Sequence, residues 1–393
     1  MTRSRVVASH STPHADPVPP LAWRSWCAHQ PIPADEARYL LLELLRLFPA
    51  ALATPLYLSG HQQRRLASWV ARRRRGEPLQ YITGRAHFFG EVIRVGPGCL
   101  VPRPETELVV EHALATLRSP ADCAGGDAAK RPNVPLASRS RRGVGRESVG
   151  LWRSVREEPN ASPDRPLRRA TGDDATKNVA RLLAHDSVHG SARLSRSGQG
   201  PTGSQGDEAG RPAPVDLRRR ATERDPAGGG ALRLLDLATG SGCIALAIAR
   251  QRPDVRIVAV DQSAAALAWA RLNLHATAVE IRRGDLFAPV AGERFDCICC
   301  NPPYVEEGAI LPSDVRGYEP AAALFAGADG LAALRRVVAE APAHLLPGGW
   351  LVMEIGAGQG RAVTRLARPL FATVAIHRDY SGHERIFVGR QPP

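Results

Sequence analysis

The chain has 393 residues, 44% of them hydrophobic and 23% charged, with a formal net charge of +13 at pH 7. That length accommodates about two domains with real cores, and no stretch approaches the roughly 18 uninterrupted apolar residues that a membrane-spanning helix needs. The positive charge invites a nucleic-acid reading. However, residues 118–230 carry 21 Lys/Arg against 14 Asp/Glu, about half of the excess, which weakens the case for a folded basic surface.

In chain order, residues 1–30 lack an apolar core of signal-peptide length and are expected to be a disordered tail of a cytoplasmic protein. Residues 31–83 form a small helical domain. Leu40, Leu41, Leu44 and Leu45 make one stripe at helical spacing, and Leu66, Trp69 and Val70 another. Arg72-Arg73-Arg74-Arg75 reads as a solvated helix end, where the dipole favours cations. Residues 84–117 hold a glycine-punctuated alternation, "FFGEVIRVGPG", read as a hairpin, and an amphipathic linking helix, "ETELVVEHALATL". Residues 118–230 are rich in Gly, Pro, Ser and Arg, show no sustained period, and are expected to be a low-complexity, mostly disordered insertion.

From 231 to 393 the rhythm is βαβ. "LRLLDLATG", "VRIVAVD", "RFDCICC", "GGWLVMEIG" and "RIFVGR" read as strands. "CIALAIARQ", "AAALAWARLNLH" and "DGLAALRRVVAEAPAHL" read as helices between them. Near-continuously apolar strands alternating with helices predict an α/β fold with a mostly parallel, doubly wound sheet. Seven cysteines lie mostly in apolar segments, which suggests reduced thiols. Cys297 and Cys300 form a C-x-x-C, but on a strand they point to opposite faces, and no metal site is expected.

"DLATGSG", Asp236 to Gly242, closes the first of these strands and opens a helix. Small residues there let a ligand approach the backbone, and the helix N-terminus offers N–H groups. Asp261, nineteen residues past Gly242, ends the next strand, where a carboxylate can accept both hydroxyls of a ribose. Gly240-x-Gly242-x-x-Ala245 also fits a dinucleotide fingerprint, so a nicotinamide-cofactor reading stays open at this point. Asn301-Pro302-Pro303-Tyr304 then stops the strand "FDCICC", because prolines cannot donate to a ladder and fix φ. The strand carrying it is expected beside the first, at the topological switch point where ligands bind. An amide or adenine amino nitrogen is a poor nucleophile, its lone pair being delocalised. The Asn301 side-chain oxygen and the Pro302 carbonyl are two acceptors for its N–H groups, and Tyr304 a surface for its flat face. Holding such a nitrogen in line with an activated methyl group supplies catalysis through orientation.

Asn-Pro-Pro-Tyr is shared by N6-adenine and glutamine-N5 methyltransferases. Four further stretches, "EPLQYITG" (77–84), "VPRPETE" (101–107), "GYEPAAALFAGADGL" (317–331) and "RDYSGHER" (378–385), resemble the HemK/PrmC family of peptide chain release factor glutamine methyltransferases. The resemblance covers 34–117 and 231–393. It implies a Rossmann-like class I S-adenosylmethionine-dependent methyltransferase sheet, S-adenosyl-L-methionine as cofactor and release factors 1 and 2 as protein substrates. No nucleic acid or membrane partner is required. On the same grounds Ala238, Thr239, Gly240, Ser241 and Gly242 form the cofactor loop, Asp261 holds the ribose and Leu286 borders the adenine. Asn301, Pro302, Pro303 and Tyr304 hold the substrate glutamine, with Asn301 also against the cofactor and Asn301, Pro302 and Tyr304 catalytic. Two residues depart from the family pattern: Ala238 stands where glycine is usual and Leu286 where an aromatic is common. The alternatives are an N6-adenine nucleic-acid methyltransferase using the insertion to grip its target, and a binding protein without activity.

Overall fold

The computed structural model describes residues 21–47, 49–117 and 230–393; the expectation for 118–230 therefore lies outside the described residues, apart from Gly230. The chain divides into two compact units, Met1–Leu79 and Gln80–Pro393.

In the first unit, α1 (Trp23–Ala28), α2 (Ala34–Leu45) and α3 (Gly60–Arg74) surround a short 3₁₀ turn, Pro49–Ala53. The stripes predicted for α2 and α3 supply its core: Leu40, Leu41, Leu66, Trp69 and Val70 are buried. A capping box starts α3: Ser59 Oγ accepts from the Gln62 N–H at 3.2 Å, and Gln62 Oε1 accepts from the Ser59 N–H at 2.8 Å. Two expectations are corrected here. Residues 1–20 lie outside the described residues, but 21–30 are not a disordered tail: α1 is pinned by Trp23 Nε1 donating to the Leu52 carbonyl at 3.0 Å and by buried Cys27. Nor is the arginine run a wholly solvated helix end. Arg73 makes a two-pronged pair with buried Glu36, at 2.6 and 2.7 Å, and Arg72 pairs with Glu77, while Arg74 and Arg75 are exposed. A guanidinium fork matched to a carboxylate is the geometry in which an arginine is held inside a fold.

Helix α4 (Leu79–Thr83) starts on the last residue of the first unit, and the second continues with the expected hairpin, β1 (Arg85–Phe88) and β2 (Glu91–Arg94). Its two-residue turn, Phe89-Gly90, has positive φ at both positions, the twist a tight hairpin needs. Glu107 accepts from the Phe89 N–H at 2.7 Å and ties the hairpin to α5 (Glu107–Thr116). The main sheet follows: β3 (Arg233–Leu237), β4 (Arg256–Asp261), β5 (Glu280–Arg283), β6 (Phe295–Cys300), β7 (Leu345–Glu354), β8 (Thr373–Arg378) and β9 (Glu384–Arg390), in the spatial order β5-β4-β3-β6-β7-β9-β8. Strands β5 to β7 are parallel, and β9 and β8 close the edge antiparallel. This is the predicted doubly wound α/β sheet, Rossmann-like in its reversal of strand order beside β3.

Helices α6 (Cys243–Gln251) and α7 (Ala264–Leu274) pack with α5 on one face, against Leu234, Cys297, Cys299 and Val352. After the short α8 (Ser313–Tyr318), helices α9 (Ala332–Glu340) and α10 (Gly360–Ala367) cover the other, against Leu235, Leu237, Ile298, Cys300 and Met353. Cys297 and Cys300 thus do face opposite sides. Cys27, Cys99, Cys243, Cys297, Cys299 and Cys300 are free and buried, and no group of ligating side chains suited to a metal occurs among the described residues. No helix among the described residues is long and apolar enough to cross a membrane.

Candidate active site

The register of the sheet brings the expected residues into one row. Leu237 of β3 pairs with Val260 of β4 and with Cys300 of β6, and Cys300 pairs with Met353 of β7. The next residue of each is Asp261, Ala238, Asn301 and Glu354. All four stand at the carboxyl edge of the sheet, where the strand order reverses. With neighbouring strands about 4.8 Å apart, Asp261 and Asn301 lie about 10 Å from each other, with the glycine loop between them.

That loop is tightly held. Asp236 is fully buried and accepts from the Thr239 hydroxyl at 2.5 Å and from the Ala245 N–H at 3.2 Å, both on Oδ2. Burial pushes its carboxyl up to about 7, against the pull of those two bonds. Asp261 Oδ2 accepts from the Gly240 N–H at 2.9 Å and Oδ1 from the Ser263 N–H at 2.8 Å. Burial raises this carboxyl too, and the backbone bonds oppose the rise. Gly240 and Gly242 both have positive φ, but their surroundings differ. A Cβ on Gly242 would meet Leu274 of α7 at 2.9 Å, whereas at Gly240 the nearest atom is the Ala238 carbonyl at 3.9 Å. Gly242 is therefore small for helix packing, and Gly240 faces open space. Ala238 and Leu286 also adopt positive φ, 54° and 42°, which glycine takes far more readily.

At the other end of the row Asn301 Nδ2 donates to Thr106 Oγ1 at 2.9 Å, Thr106 Oγ1 donates to Glu354 Oε2 at 2.6 Å, and the Tyr304 hydroxyl donates to Glu354 Oε1 at 2.9 Å. Tyr304 is thus tethered by its phenol rather than free to swing over a ligand. Burial raises the Tyr304 hydroxyl, with the Glu354 charge adding to it. Gln359 Nε2 holds the Tyr304 carbonyl at 3.0 Å, and Val305 bridges to Phe325. A pocket opens beside this corner, lined by Asn301, Pro302, Tyr304, Leu100, Arg103 and Leu324, among others.

Three of the four stretches singled out in the sequence reach this corner, and Tyr81 of the fourth braces one of them. Tyr81 donates to the Cys99 carbonyl at 2.5 Å, which fixes the approach to "VPRPETE". Arg103 pairs with Glu319 of "GYEPAAAL" at 2.5 Å, and Glu319 also accepts from the Val101 N–H at 3.2 Å. Burial pushes the Glu319 carboxyl up while Arg103 pulls it down. Arg385 of "RDYSGHER" reaches Asp379 at 3.3 Å and the Ile355 carbonyl at 3.3 Å, next to Glu354.

Residues 27–84 match the family model for the PrmC N-terminal domain, and residues 227–315 match that for the methyltransferase small domain. A release factor glutamine methyltransferase of Pseudomonas aeruginosa is 32% identical over 333 residues, 83% of this chain and 80% of that protein. The chain belongs to the release factor glutamine methyltransferase family. A family member from Xylella fastidiosa is 48% identical over 166 residues, a match covering 41% of this chain and spanning 60% of the relative's length. Among solved structures, TrmN from Thermus thermophilus aligns with 41% of this chain and 44% of its own, at 24% identity and a TM-score of 0.30.

Two residues of the polar chain that ends at Asn301, Thr106 and Glu354, were not among the site residues expected from the sequence. Thr106 sits within a stretch noted only for resemblance. Glu354 had a signal, a carboxylate ending an otherwise apolar strand, "WLVMEIG". Asp236, at the head of the loop, carries no role expected from the sequence. Its Oδ1 is buried without a partner, and since Oδ2 accepts both hydrogen bonds, Oδ1 is where the proton sits when burial keeps this carboxyl neutral. The Asp261 carboxylate at the loop and the open space at Gly240 fit S-adenosylmethionine, which offers a ribose diol and needs close approach to the backbone.

Proposed function

We propose that the chain methylates the side-chain amide nitrogen (N5) of the glutamine in the Gly-Gly-Gln motif of peptide chain release factors 1 and 2, in the cytoplasm, using S-adenosyl-L-methionine. The observation that carries this is the row at the sheet edge, in which a diol acceptor (Asp261), an open glycine loop and a fixed amide (Asn301) succeed one another on adjacent strands.

In this reading Ala238, Thr239, Gly240, Ser241 and Gly242 shape the cofactor loop, with Gly242 acting through packing. Asp261 holds the ribose and Leu286 borders the adenine. The cofactor supplies a methyl group activated by its sulfonium. Asn301 Oδ1 and the Pro302 carbonyl accept the two N–H groups of the substrate amide and hold its nitrogen in line, while Pro303 stiffens the corner and tethered Tyr304 walls it. With the cofactor bound, its methyl group would pass from sulfur to this nitrogen, which would then shed a proton to water. No base need act first, so the rate rests on orientation.

A labelled-methyl transfer assay offering release factor and DNA side by side tests the reading, with Asn301→Ala as the control. Label on the release factor glutamine, lost by Asn301→Ala with little change in cofactor affinity, is the expected result. Label on DNA alone would reverse the substrate assignment, and parental turnover by Asn301→Ala would remove Asn301 from its role.

A further inference from the structure

We propose that Glu354, as a carboxylate acting through Thr106, dictates which end of the Asn301 amide faces the substrate pocket, making both of them positioning residues for the transfer. The inference rests on the function proposed above.

A carboxylate has no proton to give, so both of its contacts must be acceptances. It takes the Tyr304 hydroxyl on Oε1 and the Thr106 hydroxyl on Oε2. A threonine hydroxyl has one proton. With that proton committed to Glu354, Thr106 Oγ1 can only accept from Asn301, which fixes the Asn301 NH₂ toward Thr106 at 2.9 Å and turns Oδ1 the other way. That oxygen accepts from no described residue, and it is not among the buried side-chain atoms left without a partner, so it remains available to a ligand.

The two ends of an asparagine amide are nearly equal in shape and opposite in hydrogen bonding. A reversed Asn301 would set a donor against the N–H groups of an incoming amide. Thr106 is 2% exposed and Glu354 1%, so water does not compete for these contacts, and the polarity runs one way from β7 to the pocket. Arg385 and Glu105 are the other charged groups facing Glu354. Burial pushes the Glu354 carboxyl up, and the Thr106 and Tyr304 bonds, then Arg385, draw it back.

The test uses the full chain with S-adenosylmethionine and release factor, comparing the parent with Thr106→Ser, Thr106→Val and Glu354→Gln. Cofactor affinity by titration calorimetry and the melting temperature are measured alongside kcat and KM. Thr106→Ser keeps the hydroxyl and should stay within about threefold of the parent. Thr106→Val and Glu354→Gln should lose kcat by about tenfold or more with cofactor affinity within about twofold. The acid limb of the parent's kcat profile should be absent from Glu354→Gln, since protonated Glu354 gains a donor and loses its control of direction. Parental kcat in both Thr106→Val and Glu354→Gln overturns the proposal. So does activity that falls in all three variants only in step with melting temperature, which is the mark of a structural role. A parent chain that binds cofactor but leaves glutamine unmethylated overturns the substrate assignment, and the positioning role falls with it.

Discussion

Gly240 and Gly242 look interchangeable in the sequence, yet alanine at the two positions should fail in different ways. Both have positive φ, 58° and 79°, where an alanine costs about 1–2 kcal/mol. At Gly242 the new methyl also lands 2.9 Å from Leu274 Cδ1 and 3.1 Å from its Cγ, with the Ala270 Cα at 3.5 Å. Neither helix can yield freely, and overpacking of this kind adds about 1–3 kcal/mol. Gly242→Ala should therefore lose about 2–5 kcal/mol, which for a domain of this size lowers the melting temperature by about 4–20 °C. Gly240→Ala meets nothing closer than 3.9 Å and should melt only about 2–8 °C below the parent. Its methyl instead intrudes where the cofactor is expected, so its S-adenosylmethionine affinity should fall by about tenfold or more. Differential scanning fluorimetry and titration calorimetry on both variants give the four numbers. Equal melting temperatures, or unchanged affinity in Gly240→Ala, would refute the division of labour between the two glycines.

Asp261→Ala should weaken cofactor binding by about 1.5–3 kcal/mol through loss of a charge-assisted bond; an unchanged dissociation constant would remove Asp261 from the site. Arg73→Met leaves Glu36 buried without its partner and should cost the first unit about 3–5 kcal/mol in chemical denaturation, whereas an exposed arginine would change stability little. Folded Asp236 keeps its proton up to about pH 7, while the unfolded chain releases it near 4. The folded state thus binds more protons between those values, and stability should fall as pH rises across that window and level off above it. Asp236→Asn should flatten this decline in urea titrations. Replacing residues 122–228 with a short Gly/Ser loop should leave release factor methylation intact, because both flanks are anchored: the Leu117 carbonyl accepts from Arg252 and the Leu232 carbonyl from the Arg256 N–H. Loss of transfer in a folded, cofactor-binding deletion would make the segment a working part.

The interior strands β3, β4, β6 and β7 were legible because burial on both faces leaves an unbroken apolar run. Strand β5, "EIRR", and β8, "TVAIHR", lie at the two edges and half in solvent, so no such run marks them. Helix α10 and the short helix Ser313–Tyr318 went unread for a similar reason, their apolar positions being few. The arginine run misled because a salt bridge across 37 positions of sequence leaves no local trace. At the site, the backbone devices were readable from glycines and prolines. Thr106 and Glu354 were not, since their meaning lies in a contact 248 residues apart in sequence.

Helix α5 has a consequence for how the protein can be divided. It buries Val109, Val110 and Ala113 on the sheet, with Leu117 just past its end, and Thr106 just ahead of it completes the polar chain to Asn301. Everything else in that chain comes from residues after 230. The protein is thus organised as two complementary fragments, one ending after α5 and one beginning before β3, whose apolar faces match and neither of which holds a finished site. Expressed as separate polypeptides cut within 122–228, they should assemble noncovalently and recover methyl transfer only together. That makes the cut a point for a split-enzyme reporter in which association is read directly as product.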